Sequence, residues 1–188
     1  MAKRPLAPLM EIGTPVLDIS GASPYVERQA AFDAFLTKGG VYDKIYSYWK
    51  SIYLKGLTDD FIDELSVAAP NMPSDQILVA IWHLGGAMSR VPEKDTAFGK
   101  RQAPYMLSYD CSWSDPALGD TVIEWTRAHI AAAQSEAAGG QYLNFPGVGE
   151  NNEELVKAAY GANYDRLKGV KRKYDPGNFF RINQNIKP

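Results

Sequence analysis

Tyr142 and Asn144 stand two residues apart in the segment Gln141-Tyr142-Leu143-Asn144-Phe145, which reads as a short strand. Alternation then puts a phenol and an amide on one face while Gln141, Leu143 and Phe145 point the other way. Such a pair would share a pocket. A free tyrosine titrates at ~10, so it acts as a base only beside a group that stabilises phenolate. The sequence displays no such neighbour directly, and the bland alternative is a half-buried strand tyrosine bonded to backbone. Near the C-terminus, Asn183-Gln184-Asn185 offers donors and acceptors without adding charge. Three amides in a row are equally at home in a solvated tail. Met106, Ser108 and Asp110 share one face of the strand Tyr105 to Trp113, where Asp110 is either a pocket carboxylate or a strand-end charge in solvent. His83, just before Gly85-Gly86, is either an acid-base group or a satisfied core histidine. His129, at helical spacing further on, reads as a packing or surface residue.

The elements that position these groups follow from pattern and punctuation. Leu6 to Ile12 reads as one or two helical turns and Thr14 to Ile19 as an edge strand. Pro24 to Leu36 reads as a helix, with Ser23 as N-cap and Pro24 at the first helical position. Lys44 to Leu54 is a strand with aromatic residues on both faces. Thr58 opens a helix to about Ala69, with Asp59 and Asp60 against its N-terminal dipole. Gln76 to His83 is a nearly continuous apolar run, read as a strand buried on both faces. After Tyr105 to Trp113, Ser114-Asp115-Pro116 starts a helix to about Ala138, which Gly139-Gly140 stops. Two helices follow, near Glu153 to Tyr160 and Asn163 to Tyr174. Asp175-Pro176-Gly177-Asn178 is a turn, in which proline fixes one φ and glycine permits a positive one. The order implies an α+β domain, a mainly antiparallel sheet covered on one face by helices. Its other face is left free to contact something else.

The 188 residues bound the chain to about one domain, and 45% hydrophobic with 22% charged residues is the balance of a globular protein. A formal charge of −2 advertises no nucleic-acid surface. One cysteine and two histidines exclude an intrachain disulfide and argue against any metal site. No apolar run approaches the roughly 18 residues of a membrane span, and no signal segment is evident, so the expectation is a cytoplasmic protein without membrane contact. Eleven tyrosines are the unusual number. Rings with polar tips suit an interface or a pocket.

The segment from Tyr160-Gly161-Ala162-Asn163-Tyr164 through Tyr174-Asp175-Pro176-Gly177-Asn178-Phe179-Phe180 to Asn183-Gln184-Asn185-Ile186 closely resembles the C-terminal signature of the berberine bridge enzyme-like family of FAD-linked oxidases. Upstream pieces agree in order. They are Gly85-Gly86-Ala87-Met88-Ser89-Arg90-Val91 leading into Asp95-Thr96-Ala97-Phe98, the strand ending in Trp113, and Gln141 to Phe145; Tyr48-Trp49-Lys50-Ser51 looks like the family's bacterial members. The resemblance covers nearly the whole chain, but only the C-terminal part of such an enzyme.

It implies a substrate-binding α+β domain over residues 1–145, followed by a C-terminal helical segment, 146–188, that returns to the flavin. Tyr142 would then lie over the flavin as the catalytic base or its helper. Asn144, Asn183, Gln184 and Asn185 would contact the cofactor, whose mixed amide-imide edge suits them. His83, Met106, Ser108 and Asp110 would line the substrate cavity, with Ser108 standing where several relatives carry Gln or Glu. Members of the family oxidise an alcohol or amine carbon, pass hydride to flavin and return electrons to oxygen. They begin with a flavin-binding domain whose Gly-Gly turn and attachment histidine and cysteine have no counterpart in this sequence. The expectation is therefore a chain inactive by itself, not retaining FAD alone, whose partners are the missing N-terminal FAD-binding domain and a small-molecule substrate. The alternative is a non-catalytic small-molecule-binding or dimerising module derived from the same family. An uncovered aromatic face predicts homodimerisation under either reading.

Overall fold

The structure is a computed structural model that describes residues 3–14, 16, 17, 21–33, 38–40, 43–147, 149, 150 and 153–188. Two compact units divide the chain, residues 1–43 and 44–188. The first holds α1 (Lys3–Met10) and α2 (Tyr25–Gln29), the latter continuing as a 3-10 turn, Ala30–Phe32. Pro24 is itself the N-cap of α2, and no side chain caps the helix. Thr14, Val16 and Leu17 are not in a strand, and the rest of the expected Thr14 to Ile19 strand lies outside the described residues, as does the end of the expected helix to Leu36.

The second unit is an α+β domain built on three antiparallel strands, β1 (Tyr46–Leu54), β2 (Leu78–His83) and β3 (Tyr105–Trp113), in the order β1-β3-β2. Tyr48 pairs with Cys111, Ser51 with Ser108 and Tyr53 with Met106; Ala80 faces Ser108 from the other side. This register sorts the sheet into two faces. Tyr48, Ile52, Leu54, Leu107, Tyr109, Cys111 and Trp113 form one core with Phe61, Val122, Ile130 and Ala133 from the helices. Trp49, Ser51, Tyr53, Met106, Ser108 and Asp110 point the other way, together with Ala80 and Trp82.

The helices on the covered face are α3 (Asp59–Ala68) and α4 (Gly119–Ala132). Thr58 caps α3, its hydroxyl accepting from the Phe61 amide at 3.3 Å, and Asp59 and Asp60 occupy the first turn as the dipole favours. Asp115 accepts from Ala117 N in the turn that leads into α4. That helix tightens into a 3-10 turn, Ala133–Glu136, short of the expected Ala138. It stops there because the chain turns onto β1: Lys55 N donates to Glu136 O and Ala138 N to Tyr53 O. Cys111 lies under α4, its Sγ 3.0 Å from the Thr126 hydroxyl, and burial pushes the thiol up to about 11.

β2 corrects the expectation of a strand buried on both faces. It pairs only with β3 among the described residues, and Leu78, Ile81 and Trp82 are exposed. A continuous apolar run marks a strand able to be covered twice; its place in the sheet decides whether it is. The central strand is instead β3, which carries the alternating polar residues Ser108, Asp110 and Ser112 on the face away from α3 and α4. That face is not left free as expected, since Ser108 and Ser112 are buried and Tyr53 and Met106 form a second cluster with Tyr142 and Phe145.

Glu150 fastens the loop after Pro146 to the sheet. Its carboxylate accepts from the Tyr48 hydroxyl at 2.5 Å and Arg127 Nε at 3.0 Å, and pairs with Lys50. Burial disfavours its charge, but the Lys50, Tyr48 and Arg127 contacts outweigh that and hold its carboxyl below the usual range. Gly147 is needed here: its φ is +78°, and a Cβ would meet the Tyr48 hydroxyl at 3.0 Å. The last helices are α5 (Glu153–Tyr160) and α6 (Tyr164–Tyr174), with Lys171, Arg172 and Lys173 in the final turn of α6.

Candidate functional site

Residues 141–147 form a turn rather than the expected strand. The Phe145 amide closes it onto Tyr142 O at 2.9 Å, and only Lys50 and Pro146 make a bridge. Gly139, Gly140 and Gly147 all have positive φ, and Pro146 has no N–H to give a ladder, so an extended run cannot propagate. The turn is nonetheless anchored to β1: Tyr142 N donates to Ser51 Oγ at 3.2 Å and Gly147 N to Trp49 O at 2.9 Å. Tyr142 and Asn144 do meet, by a different route from strand alternation. The Asn144 amide donates to the Tyr142 hydroxyl at 2.7 Å.

Tyr142 stands between two cavities. The larger, of about 360 Å³, lies against this sheet face and is walled by Tyr53, Trp82, Met106, Tyr142 and Phe145, with Leu84, Met88 and Phe98 closing it. The smaller, of about 250 Å³, takes in Gln141, Leu143, Asn144, Ala159 and Tyr160. Tyr53, Phe98 and Tyr142 belong to both walls. Phe145 packs edge-on against Tyr142 and against Trp49, at centroid distances of 5.3 and 5.2 Å. Tyr53 is almost fully buried, and its phenol is pushed up to about 12, first by burial and then by the nearby Tyr142.

The remaining sequence candidates divide. Met106 is in the wall of the larger cavity. Ser108 is fully buried one step along the same face, and its Oγ accepts from Trp82 Nε1 at 2.9 Å. Asp110 lies a step further, between Trp49 and Leu78 in the register. Burial raises its carboxyl above the usual carboxylate range, with the Ser108 hydroxyl opposing, and its Oδ1 has no hydrogen-bond partner among the described residues. Neither Ser108 nor Asp110 reaches the wall of the two cavities. His83 does not either: it is exposed and pairs with Tyr105 in register, their rings 5.4 Å apart. Alternation along β2 puts it on the face opposite Trp82 and Met106.

The tail amides take three separate roles. Gln184 Nε2 donates to Leu143 O at 2.5 Å, tying the tail to the turn between Tyr142 and Asn144. Asn183 is exposed, with φ +63°, and its carbonyl accepts from Asn185 N. Asn185 Oδ1 is buried without a partner among the described residues. Asp175 holds the preceding turn, accepting from Phe179 N at 2.7 Å and Phe180 N at 3.1 Å while pairing with Lys171. The Lys171 ammonium, together with those two amides, keeps its carboxyl below the usual range. The left-handed residue of the turn is Asn178, at φ +51°, not Gly177; asparagine tolerates that conformation better than most side chains.

Tyr53, Trp82 and Phe98 are site residues that sequence reasoning did not single out. Tyr53 was within reach: alternation along β1 puts it with Ser51 on the face opposite Ile52. What was lacking was the pairing of Tyr53 with Met106, which requires the register.

Residues 141–187, which include the Tyr142 turn and the whole tail, match the family model described as Berberine and berberine like. An uncharacterised FAD-linked oxidoreductase of Bacillus subtilis, YgaK, is 30% identical over 186 residues, covering 99% of this chain and 40% of its own length. A chitooligosaccharide oxidase of Gibberella zeae is 31% identical over 106 residues, 54% of this chain and 22% of the relative. Among solved structures, a chitooligosaccharide oxidase superposes with a TM-score of 0.71 at 23% identity, over 99% of this chain and 43% of that one; this likeness concerns the fold. Together these matches support the berberine bridge enzyme-like family of FAD-linked oxidoreductases. The chain spans about two fifths of the length of YgaK and of the solved oxidase. No helix among the described residues is long and apolar enough to cross a membrane.

Asn185 is in the wall of neither cavity, but its side chain fits an FAD ring in one respect. The orphaned Oδ1 of Asn185 is an acceptor awaiting an N–H, and the imide of an isoalloxazine supplies one.

Proposed function

We propose that this chain provides the substrate-binding side of an FAD-dependent oxidoreductase that oxidises an alcohol or amine carbon, with hydride passing to flavin and oxygen as the final acceptor. The observation that carries the reading is Tyr142. Its hydroxyl accepts the Asn144 N–H in the wall shared by two cavities, within the segment that matches the family model. An N–H donated to a phenol oxygen stabilises negative charge on that oxygen, which a base taking a substrate proton requires. FAD, when bound, supplies the two-electron acceptor. The chain's own part is to hold the substrate against the sheet face that carries Tyr53 and Met106, exclude water with the apolar wall, and receive the substrate's hydroxyl proton at Tyr142 Oη once that phenol has released its own proton to solvent. Asn144 is a positioning residue for that oxygen, and Gln184 links the tail to the same turn. Asn183, which is exposed, and Asn185, with its unpaired Oδ1, are the tail residues assigned to the cofactor. An FAD-binding domain is the partner this reading requires.

The test combines the chain with an FAD-binding domain of the family and follows visible absorbance. The pair is expected to retain yellow flavin that bleaches when a substrate alcohol is added without oxygen. A pair that stays colourless with FAD in excess overturns the oxidoreductase reading. Flavin retained by the chain alone overturns the requirement for the second domain.

A further inference from the structure

We propose that Tyr53 is a second substrate-binding phenol, whose hydroxyl donates a hydrogen bond to the oxygen of a neutral alcohol with an apolar body held in the larger cavity. This rests on the reading of Tyr142 above and narrows its substrate class. Tyr53 is 3% exposed and belongs to the wall of both cavities. Its backbone is fixed at the edge of β1, opposite Met106, with Tyr53 O accepting from Ala138 N. Its hydroxyl makes no hydrogen bond with any described residue. The Tyr53 ring is buried, but its unpaired hydroxyl is not among the sealed polar atoms of the described residues, so it is reached from the cavity and is open to a ligand oxygen.

The rest of the wall says what the partner carries. Leu84, Met88, Phe98, Met106 and Phe145 offer no polar side chain, and the indole N–H of Trp82 is already given to Ser108. Tyr53 and Tyr142 are therefore the polar handles of the cavity. No carboxylate among the described residues lies in its wall, so an ammonium group would be buried without a counter-charge. A ligand with many hydroxyls would leave most of them unpaired. One oxygen on an apolar body satisfies both phenols. Their roles separate: Tyr142 Oη already accepts from Asn144, whereas burial keeps the Tyr53 proton in place until about 12, leaving Tyr53 as the donor.

The experiment uses the full chain without flavin and three probes of similar size: benzyl alcohol, toluene and benzylammonium. Binding is followed by NMR titration. In Tyr53→Phe, affinity for benzyl alcohol relative to toluene is expected to fall about three- to tenfold, the range of one lost hydrogen bond, while toluene binding is kept. Benzylammonium is expected to bind at least about tenfold more weakly than benzyl alcohol. An unchanged alcohol-to-toluene ratio overturns the role of Tyr53, as does absence of alcohol binding to the wild-type chain. Equal binding of benzylammonium overturns the neutral substrate class. A second measurement needs no variant: with tyrosine labelled at Cζ, benzyl alcohol is expected to move the resonance of a buried tyrosine that toluene leaves in place, and its immobility overturns the proposal. If alcohol selectivity holds while the flavin experiment fails, the oxidoreductase reading falls and the alcohol site stands. The converse removes Tyr53 alone.

Discussion

The Asn144 side-chain amide donates to the Tyr142 hydroxyl at 2.7 Å, although the two residues lie in a turn and not on one face of a strand. In enzyme completed with an FAD-binding domain, Tyr142→Phe is expected to slow alcohol-dependent flavin reduction by about 100-fold or more, the scale of general base catalysis, with flavin retained. Asn144→Ala leaves the base but removes its donor, and a loss of about tenfold is expected. Stopped-flow absorbance reads both. An unchanged rate in Tyr142→Phe removes its assigned role.

Gln184 grips the same turn from the tail through Leu143 O. Gln184→Ala should loosen the turn without unfolding the sheet. Exchange of the Phe145 amide, which closes the turn onto Tyr142 O, is expected to quicken about fivefold, the worth of one hydrogen bond. Equal exchange in the two proteins would show that the tail does not hold the turn.

Glu150 ties Lys50, Tyr48 and Arg127 together, and its folded pKa lies below the ordinary 4.5. The unfolded chain therefore binds the proton more readily, and the stability from this carboxylate is complete above about 4.5 and drains away as pH falls through the folded value. Glu150→Gln should cost about 1–2 kcal/mol at pH 7, a charged hydrogen-bond network discounted for partial exposure. The cost should shrink in acid. Urea unfolding at pH 7 and pH 4 measures both.

Asp110 has the opposite sign. Burial raises its folded pKa, so the folded state holds the proton longer, and stability falls as pH rises from the unfolded to the folded value. Asp110→Asn removes a half-buried charge and is expected to raise the melting temperature at pH 7 while flattening this acid-side dependence. A lower melting temperature at pH 7 would mean that Asp110 has a partner it needs.

Asp175 organises the tail by accepting two amides and pairing with Lys171. Asp175→Ala should leave the sheet intact and release Phe179 and Phe180. Limited proteolysis is expected to cut after these phenylalanines in the variant before it does in the wild type.

Strands β1 and β3, the capped start of α3, and the helices α5 and α6 were legible from residue pattern because each carries its own local signal: aromatic and β-branched runs, Thr58 with its acids, glycine and proline stops. The turn at Tyr142 was misread because five residues with one-in-two alternation look alike whether or not a ladder can form. The flanking glycines and Pro146 held the contrary signal. β2 was recognised as a strand but misplaced, since its apolar faces report capacity for burial and not the neighbours available. His83 followed that error, because one step of alternation separates it from the face of Trp82. Tyr53 and Asp110 depend on register and desolvation, which exist only once β1 and β2 flank β3.

Cys111 is the chain's one thiol, and it lies beneath α4 against Thr126 with its proton held to about 11. Thiol reagents at neutral pH therefore meet a silent background while the domain is closed. A cysteine placed on the opposite face, at Ala80 for example, would be the single labelled position. The native thiol meanwhile reacts only when α4 lifts from the sheet, so its slow modification is a clock for the opening of the core.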